Sequence, residues 1–159
     1  SPRRGETFVT RKVTKAVAKI KLGLMDSFKV GNLDAKRDWG HAKEYVEAMH
    51  LMLQQEKPGE FVIGTGKNYS VRYFIEQTFS LAGIEIEWKG QGINEKGVNK
   101  ANNKIVVEID KFFFRPSEVD ILLSDPRKAK VDLKWEAKTN IEKIIQSMYE
   151  NDFNILSKL

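Results

Sequence analysis

Three basic side chains stand where an anion could be gripped. Arg37 lies just before a stretch in which Ala42, Tyr45, Val46, Met49 and Leu53 recur at helical spacing, and that helix cannot begin before Asp38, the natural cap after the Gly31-Asn32 turn. A cation at that place adds to the free backbone N–H groups and dipole of a helix N-terminus, which already favour an anion. Arg115 precedes Pro116, so its backbone is biased towards an extended form and its guanidinium sits on a stiff segment, suited to clamping a diphosphate. Lys12 is one turn into a helix expected from about Thr7 to Leu22 and could reach a bound phosphate, whereas Lys15 and Lys19 lie on its solvated face. Plainer uses of the same residues stay open: Arg37-Asp38 as a turn salt bridge with Trp39 packed on the core, and Arg115 paired with Glu118 or Asp120.

Other chemistries lack their residues. The chain has no cysteine, so neither a disulfide framework nor a thiolate metal site can form, and a reducing compartment is permitted. His41 and His50 have no second ligand at metal spacing and no nucleophile visibly paired with them, which disfavours a metal centre or a catalytic triad. Gly64-Thr65-Gly66 lacks the further glycine and the strand-to-helix setting of a dinucleotide loop and reads as a turn. The net charge of +5 invites a polynucleotide, yet 27 basic residues interleave with 22 acidic ones through most of the chain. The basic excess lies between Arg3 and Lys21, where seven cations meet only Glu6; such a cluster suits a phosphate better than a lipid surface. No run reaches the roughly 18 apolar residues of a membrane span, and SPRRGETF is no apolar signal segment. A soluble cytoplasmic protein without nucleic-acid or membrane partners is the expectation.

The elements that must position these groups follow from periodicity. With 159 residues and 41% hydrophobic content, the chain suits one domain with its own core. Phe8, Val9, Val13, Ala16, Val17 and Ile20 form the apolar stripe of the first helix, which Gly23 ends. Ser27 to Val30 is a short strand, and Phe61 to Ile63 a buried one. Ser70 caps a helix from Val71 to Ala82, closed by Gly83. Ile84 to Trp88 alternates as a half-wet strand, Lys89 to Lys104 is a mobile Gly- and Asn-rich loop, and Ile105 to Ile109 is a second strand, the two forming a long-looped hairpin or a lid near a ligand. Asp125-Pro126 opens a short helix through Val131, and Thr139 or Asn140 caps a last helix with Ile141, Ile144, Ile145, Met148, Tyr149 and Phe153 inside. Trp88 and Trp135 are core aromatics.

Three long motifs stand out: SPRRGETFVTRK from Ser1, GNLDAKRDWGHAKEYVEAM from Gly31 and RPSEVD from Arg115. Together they resemble the GDP-mannose 4,6-dehydratases of the extended short-chain dehydrogenase/reductase superfamily, with Ser117 where the family has Thr. Gly90, Gly92, Glu95 and Gly97 match a further G-x-G-x-x-E-x-G pattern, while Lys134 and Ala137 depart from the Gly and Pro of the family's L-G-W-x-P-x-T. The resemblance spans essentially the whole chain. It implies an α/β architecture of helices with short strands: the C-terminal, substrate-binding portion of the extended fold, with the Rossmann part largely absent because no glycine fingerprint opens a helix here. In that frame segments 28–57 and 117–125 pack on a dinucleotide-binding domain outside the chain, and the start on Ser suits a piece of a longer protein.

The same resemblance implies site roles. Phe8, Val9, Lys12, Asn32, Arg37 and Arg115 would bind GDP-mannose, Glu118 would take the ribose, and Arg4 would face NADP. The catalytic Thr, Glu, Tyr and Lys belong to the part before Ser1, so this portion alone would be inactive. The intact enzyme, a homo-oligomer, would be a hydro-lyase running an internal redox cycle to GDP-4-dehydro-6-deoxy-D-mannose and water. A GDP-sugar reductase or epimerase, or a non-catalytic nucleotide-binding module, is the alternative.

Overall fold

Helix periodicity is realised most fully in the first and last helices, which pack against each other and build the main core. The computed structural model describes residues 1–117, 119 and 121–158. Helix α1 (Val9–Lys21) buries Val13, Ala16 and Val17, and α5 (Ile141–Leu156) buries Ile141, Ile144, Ile145 and Met148. Helix α3 (Val71–Leu81) closes the layer with Phe74, Ile75 and Phe79. Its cap is the expected one, Ser70 Oγ accepting from Tyr73 N at 3.1 Å, and Asn140 does the same for α5 through Lys143 N at 2.9 Å.

The helices cover a sheet of four strands in the order β1-β6-β5-β4: β1 (Phe28–Val30), β4 (Ile86–Lys89), β5 (Lys96–Asn99) and β6 (Ile105–Ile109). β1 runs parallel to β6, and the other pairs are antiparallel. Phe28 stacks on Phe79 with ring centroids 6.3 Å apart, fixing β1 to α3. A small second sheet pairs β2 (Lys36–Arg37) with β3 (Tyr69–Ser70).

The stretch expected as a mobile loop contains β5, so the hairpin is a three-stranded meander with short turns. Gly97 is the reason the sequence concealed it. A Cβ there would lie 3.0 Å from Val107 Cβ and 3.2 Å from Trp88 Cζ3, so the glycine admits close packing from both neighbouring strands.

The helix after the Gly31 turn also differs from its expected form. α2 (Ala42–Leu53) starts after His41, whose Nδ1 accepts from Lys43 N at 3.2 Å. Asp38 cannot cap it because its carboxylate is used elsewhere: it accepts from Thr65 N at 3.0 Å, Thr65 Oγ1 at 2.6 Å, Gly66 N at 3.0 Å and Ser124 Oγ. Phe61 to Ile63 forms no strand. Phe61 and Ile63 instead pack on a second apolar cluster of Ala48, Ala129, Leu133 and Trp135, which joins α2 to α4 (Arg127–Asp132). Glu44 seals this junction, its Oε1 accepting from Thr139 N at 3.0 Å and Thr139 Oγ1 at 2.8 Å.

One buried ion pair crosses the main core. Arg11 Nε lies 2.7 Å from Asp152 Oδ1, and Thr14 Oγ1 donates to Asp152 Oδ2 at 2.7 Å. Arg11 also donates to the carbonyls of Pro2 and Arg4, which ties the N-terminal segment to α1 and α5. Among the described residues, no helix is long and apolar enough to cross a membrane.

Candidate nucleotide-binding site

The first turn of α1 supplies Phe8, Val9 and Lys12 to a cavity of about 400 Å³. Phe8 occupies the N-cap position with extended backbone (φ −81°, ψ 142°) and offers no side-chain acceptor, and no acidic residue stands in the first turn. The helix end therefore keeps its affinity for an outside anion. Across the cavity, the turn after β1 contributes Gly31 and Asn32, β2 contributes Arg37, and the segment after β6 contributes Phe113 and Arg115. Six of the expected site residues thus line one space: Phe8, Val9, Lys12, Asn32, Arg37 and Arg115. Glu118 lies outside the described residues. Arg4 does not line the cavity; its guanidinium sits over the Phe8 ring, 3.5 Å from the centroid, at the cavity's edge.

Each cation is held differently. Lys12 Nζ sits 3.5 Å from the centroid of Phe113, and burial lowers its pKa below the ordinary lysine value against the opposing charge of Asp110. Arg37 Nη1 donates to the carbonyls of Lys36 and Val119, both at 2.8 Å, which tie its guanidinium to β2 and to Val119. Arg115 is fixed through its backbone, which Asn32 grips at both polar atoms. Trp39 packs edge-on against Phe74 with centroids 5.2 Å apart, as its plainer reading expected. Among the described residues no carboxylate lines the cavity, and none of the His, Asp and Glu groups cluster in a way that could hold a metal ion.

Three cations and two phenyl rings around one space suit an anion joined to a planar or apolar body. Among the described residues that line it, Thr7 has the one hydroxyl side chain, and the cavity offers binding groups and no acid, base or nucleophile pair.

Sequence reasoning missed the brace behind this cavity. Arg72, in the first turn of α3, bonds Asp34 (Nε to Oδ1 2.9 Å) and Glu95 (Nη1 to Oε1 2.6 Å), while α3's Val71 N and Arg72 N donate to the carbonyls of Ala35 and Leu33. The two carboxylates keep Arg72 charged against the cost of burial. Its signal was faint: Glu95 stood in a glycine pattern, and Arg72 in nothing more than a helix start.

The chain matches the family model described as GDP-mannose 4,6 dehydratase over residues 1–148. It is 49% identical over 156 residues to the GDP-mannose 4,6-dehydratase of Sinorhizobium fredii (strain HH103), covering 98% of this chain and 44% of that protein. Identity to the GDP-mannose 4,6 dehydratase of Homo sapiens is also 49%, over 98% of this chain and 42% of the relative. Among solved structures, RMD from Pseudomonas aeruginosa complexed with NADPH superposes with a TM-score of 0.78 at 16% identity, covering 98% of this chain and 46% of that one. The dTDP-glucose 4,6-dehydratase from Bacillus anthracis, in complex with NAD, gives 0.69 at 17%, covering 95% and 40%. These likenesses establish the fold as part of the extended short-chain dehydrogenase architecture, and the chain spans less than half the length of the curated relatives it matches. Near-half identity along almost every residue, with a family model that runs through all three motifs, makes this chain a member of the GDP-mannose 4,6-dehydratase family.

Proposed function

We propose that this chain supplies the nucleotide-sugar-binding part of a GDP-mannose 4,6-dehydratase. The convergence of Lys12, Arg37 and Arg115 on one cavity at the N-terminal end of α1 carries the reading. In this assignment the three cations and the α1 N-terminus hold the diphosphate of GDP-mannose, Phe8 and Val9 flank the nucleoside, Asn32 borders the phosphates, and Glu118 takes a ribose hydroxyl. Binding energy gained so far from the hexose serves to orient the sugar at the reacting carbons.

The chemistry itself belongs to groups outside this chain. NADP, when bound, would supply the reversible hydride transfer of an internal redox cycle. Of the residues here, Arg4 fits that cofactor in charge and in its place at the cavity edge, and no glycine-rich phosphate loop accompanies it. The intact protein would be a homo-oligomeric cytoplasmic hydro-lyase, with this portion inactive alone. Segments 28–57 and 117–125 would meet the dinucleotide-binding domain. Within them, Val46, Met49 and Leu53 on α2 and Ile121, Leu122 and Leu123 are exposed, whereas β1 belongs to this chain's own core.

The test is calorimetric titration of the chain with GDP, with UDP as the control, repeated for Arg115→Ala. Selective GDP binding that weakens on the order of tenfold or more in the variant is expected, as for loss of a charge-assisted bond. Equal binding of UDP and GDP, or an Arg115→Ala variant with unchanged affinity, would sink the assignment.

A further inference from the structure

Resting on the nucleotide reading of the cavity, we infer that Asn32 acts as a positioning residue, setting the direction of Arg115 by clipping that residue's backbone. The clip has two points. Arg115 N donates to Asn32 Oδ1 at 2.8 Å, and Asn32 Nδ2 donates to Arg115 O at 2.9 Å. One side-chain amide thus does for one residue what a neighbouring strand does in a ladder: it satisfies the N–H and the C=O of the same peptide face. The orientation of the amide is set by the pairing itself, because the Arg115 N–H requires an oxygen opposite it.

The sheet explains why such a clip is needed. β1 and β6 run parallel, and their ladder ends where Asp110 N donates to Val30 O at 2.9 Å. Beyond that point the chain turns: Phe113 N and Phe114 N both return to Asp110 O at 3.0 Å, and Phe112 N bonds Asp110 Oδ1 at 2.9 Å. The β1–β6 ladder stops at this turn, and Asn32 takes up the chain one residue after the turn closes. Gly31 makes the approach possible, since a Cβ there would lie 2.1 Å from Phe113 O. Lys12 over the Phe113 ring holds the same segment from the α1 side. Pro116 follows immediately and restricts Arg115 from its C-terminal side.

Arg115 is exposed, so water could serve its N–H and C=O as well as Asn32 does. Ordering an exposed residue at two points gains little stability; what it gains is a fixed departure of the side chain towards the cavity that Asn32 also lines. The Arg115 guanidinium pairs with no carboxylate among the described residues, so the backbone is what orients it.

Two readouts separate this inference from the nucleotide assignment on which it rests. Hydrogen exchange at the Arg115 amide, resolved by NMR in the ligand-free chain, reads the clip. It should be protected, and should lose that protection in Asn32→Ala while amides of β1 and β6 keep theirs. GDP titration of Asn32→Ala, Arg115→Ala and the double variant reads the consequence. Asn32→Ala should weaken GDP on the order of tenfold in the parent chain and leave the affinity of Arg115→Ala unaltered. Losses that multiply in the double variant would make Asn32 a direct ligand contact and overturn the inference, as would an Arg115 amide indifferent to Asn32→Ala. A protected amide in a chain that binds no GDP would overturn the nucleotide assignment, and the positioning of a ligand clamp with it, while leaving the clip as a structural fact.

Discussion

At the scale of single residues, the cavity sets affinity against stability. Burial depresses the Lys12 pKa, so the folded state releases this proton more readily than the unfolded chain does. Between the folded pKa and the ordinary lysine value the unfolded state then binds more protons, and Lys12 makes stability rise with pH in that alkaline window. Anion affinity has the opposite sign, falling as Lys12 deprotonates. Lys12→Met is therefore expected to raise the melting temperature of the ligand-free chain and to weaken GDP binding on the order of tenfold. Calorimetry and thermal melts across pH 8 to 10.5 check both limbs, and a variant that is less stable would contradict the burial argument. The Arg11 and Asp152 pair carries the reverse lesson. Their side chains are 13% and 2% exposed, so Asp152→Ala strands a buried guanidinium and should cost about 3–5 kcal/mol in denaturant unfolding. The apolar double variant Arg11→Met with Asp152→Leu should recover much of that loss, because neither charge is then buried alone. It should still free the segment carrying Arg4, whose carbonyl Arg11 holds.

At the scale of elements, one turn holds a side chain in strained backbone. Lys134 follows α4 at φ +54°, in the left-handed region that favours glycine, the residue the resembling motif would place there. The turn is needed so that Trp135 N can return to Ala129 O at 3.4 Å and place the Trp135 ring in the second cluster. Lys134→Gly should stabilise the chain by about 0.5–1 kcal/mol, the strain relieved less the entropy glycine adds to the unfolded state. Equilibrium unfolding in urea measures it, and a loss of stability would mean that Lys134 makes a compensating contact. Such positions also show what the sequence could reveal. Ser70, Asn140 and Gly83 announced helix ends because capping chemistry is local, and α1, α3 and α5 announced themselves because each has one dry face. Asp38 misled because its partners, Thr65, Gly66 and Ser124, are remote in sequence, so a residue that looked like a cap is the knot between three segments. β5 was concealed because its packing depends on the absence of a side chain at Gly97. Among the candidate site residues, Lys12 and Arg115 could be read from backbone rules alone, whereas Asn32 and Phe8 needed the motif, and Arg72 needed the fold.

At the scale of the whole molecule, the two faces of α2 have different fates. Ala48 is fully buried and joins Tyr45, Leu51 and Met52 in the second cluster, while Val46, Met49 and Leu53 are 61%, 55% and 82% exposed. Ile121, Leu122 and Leu123 add three more exposed apolar side chains on the segment that β2 bridges at Ile121. Isolated exposed leucines are ordinary, but a helix with apolar residues on both its faces is one that expects cover on both. The length of the relatives supplies a source of cover, since more than half of each lies outside the matched region. The chain by itself should then associate weakly and bind an environment-sensitive dye such as ANS. Replacing Met49 and Leu53 with Glu should abolish both effects and leave far-UV circular dichroism and the melting temperature within a degree or two, because neither side chain is part of the core. Ala48→Glu, on the buried face of the same helix, should instead collapse the second cluster and lower the melting temperature by several degrees. Sedimentation velocity together with dye titration decides the matter. A chain that is monomeric and dye-silent before any substitution would mean that the outer face of α2 needs no partner, and the proposed contact of segment 28–57 with a dinucleotide-binding domain would lose its physical basis.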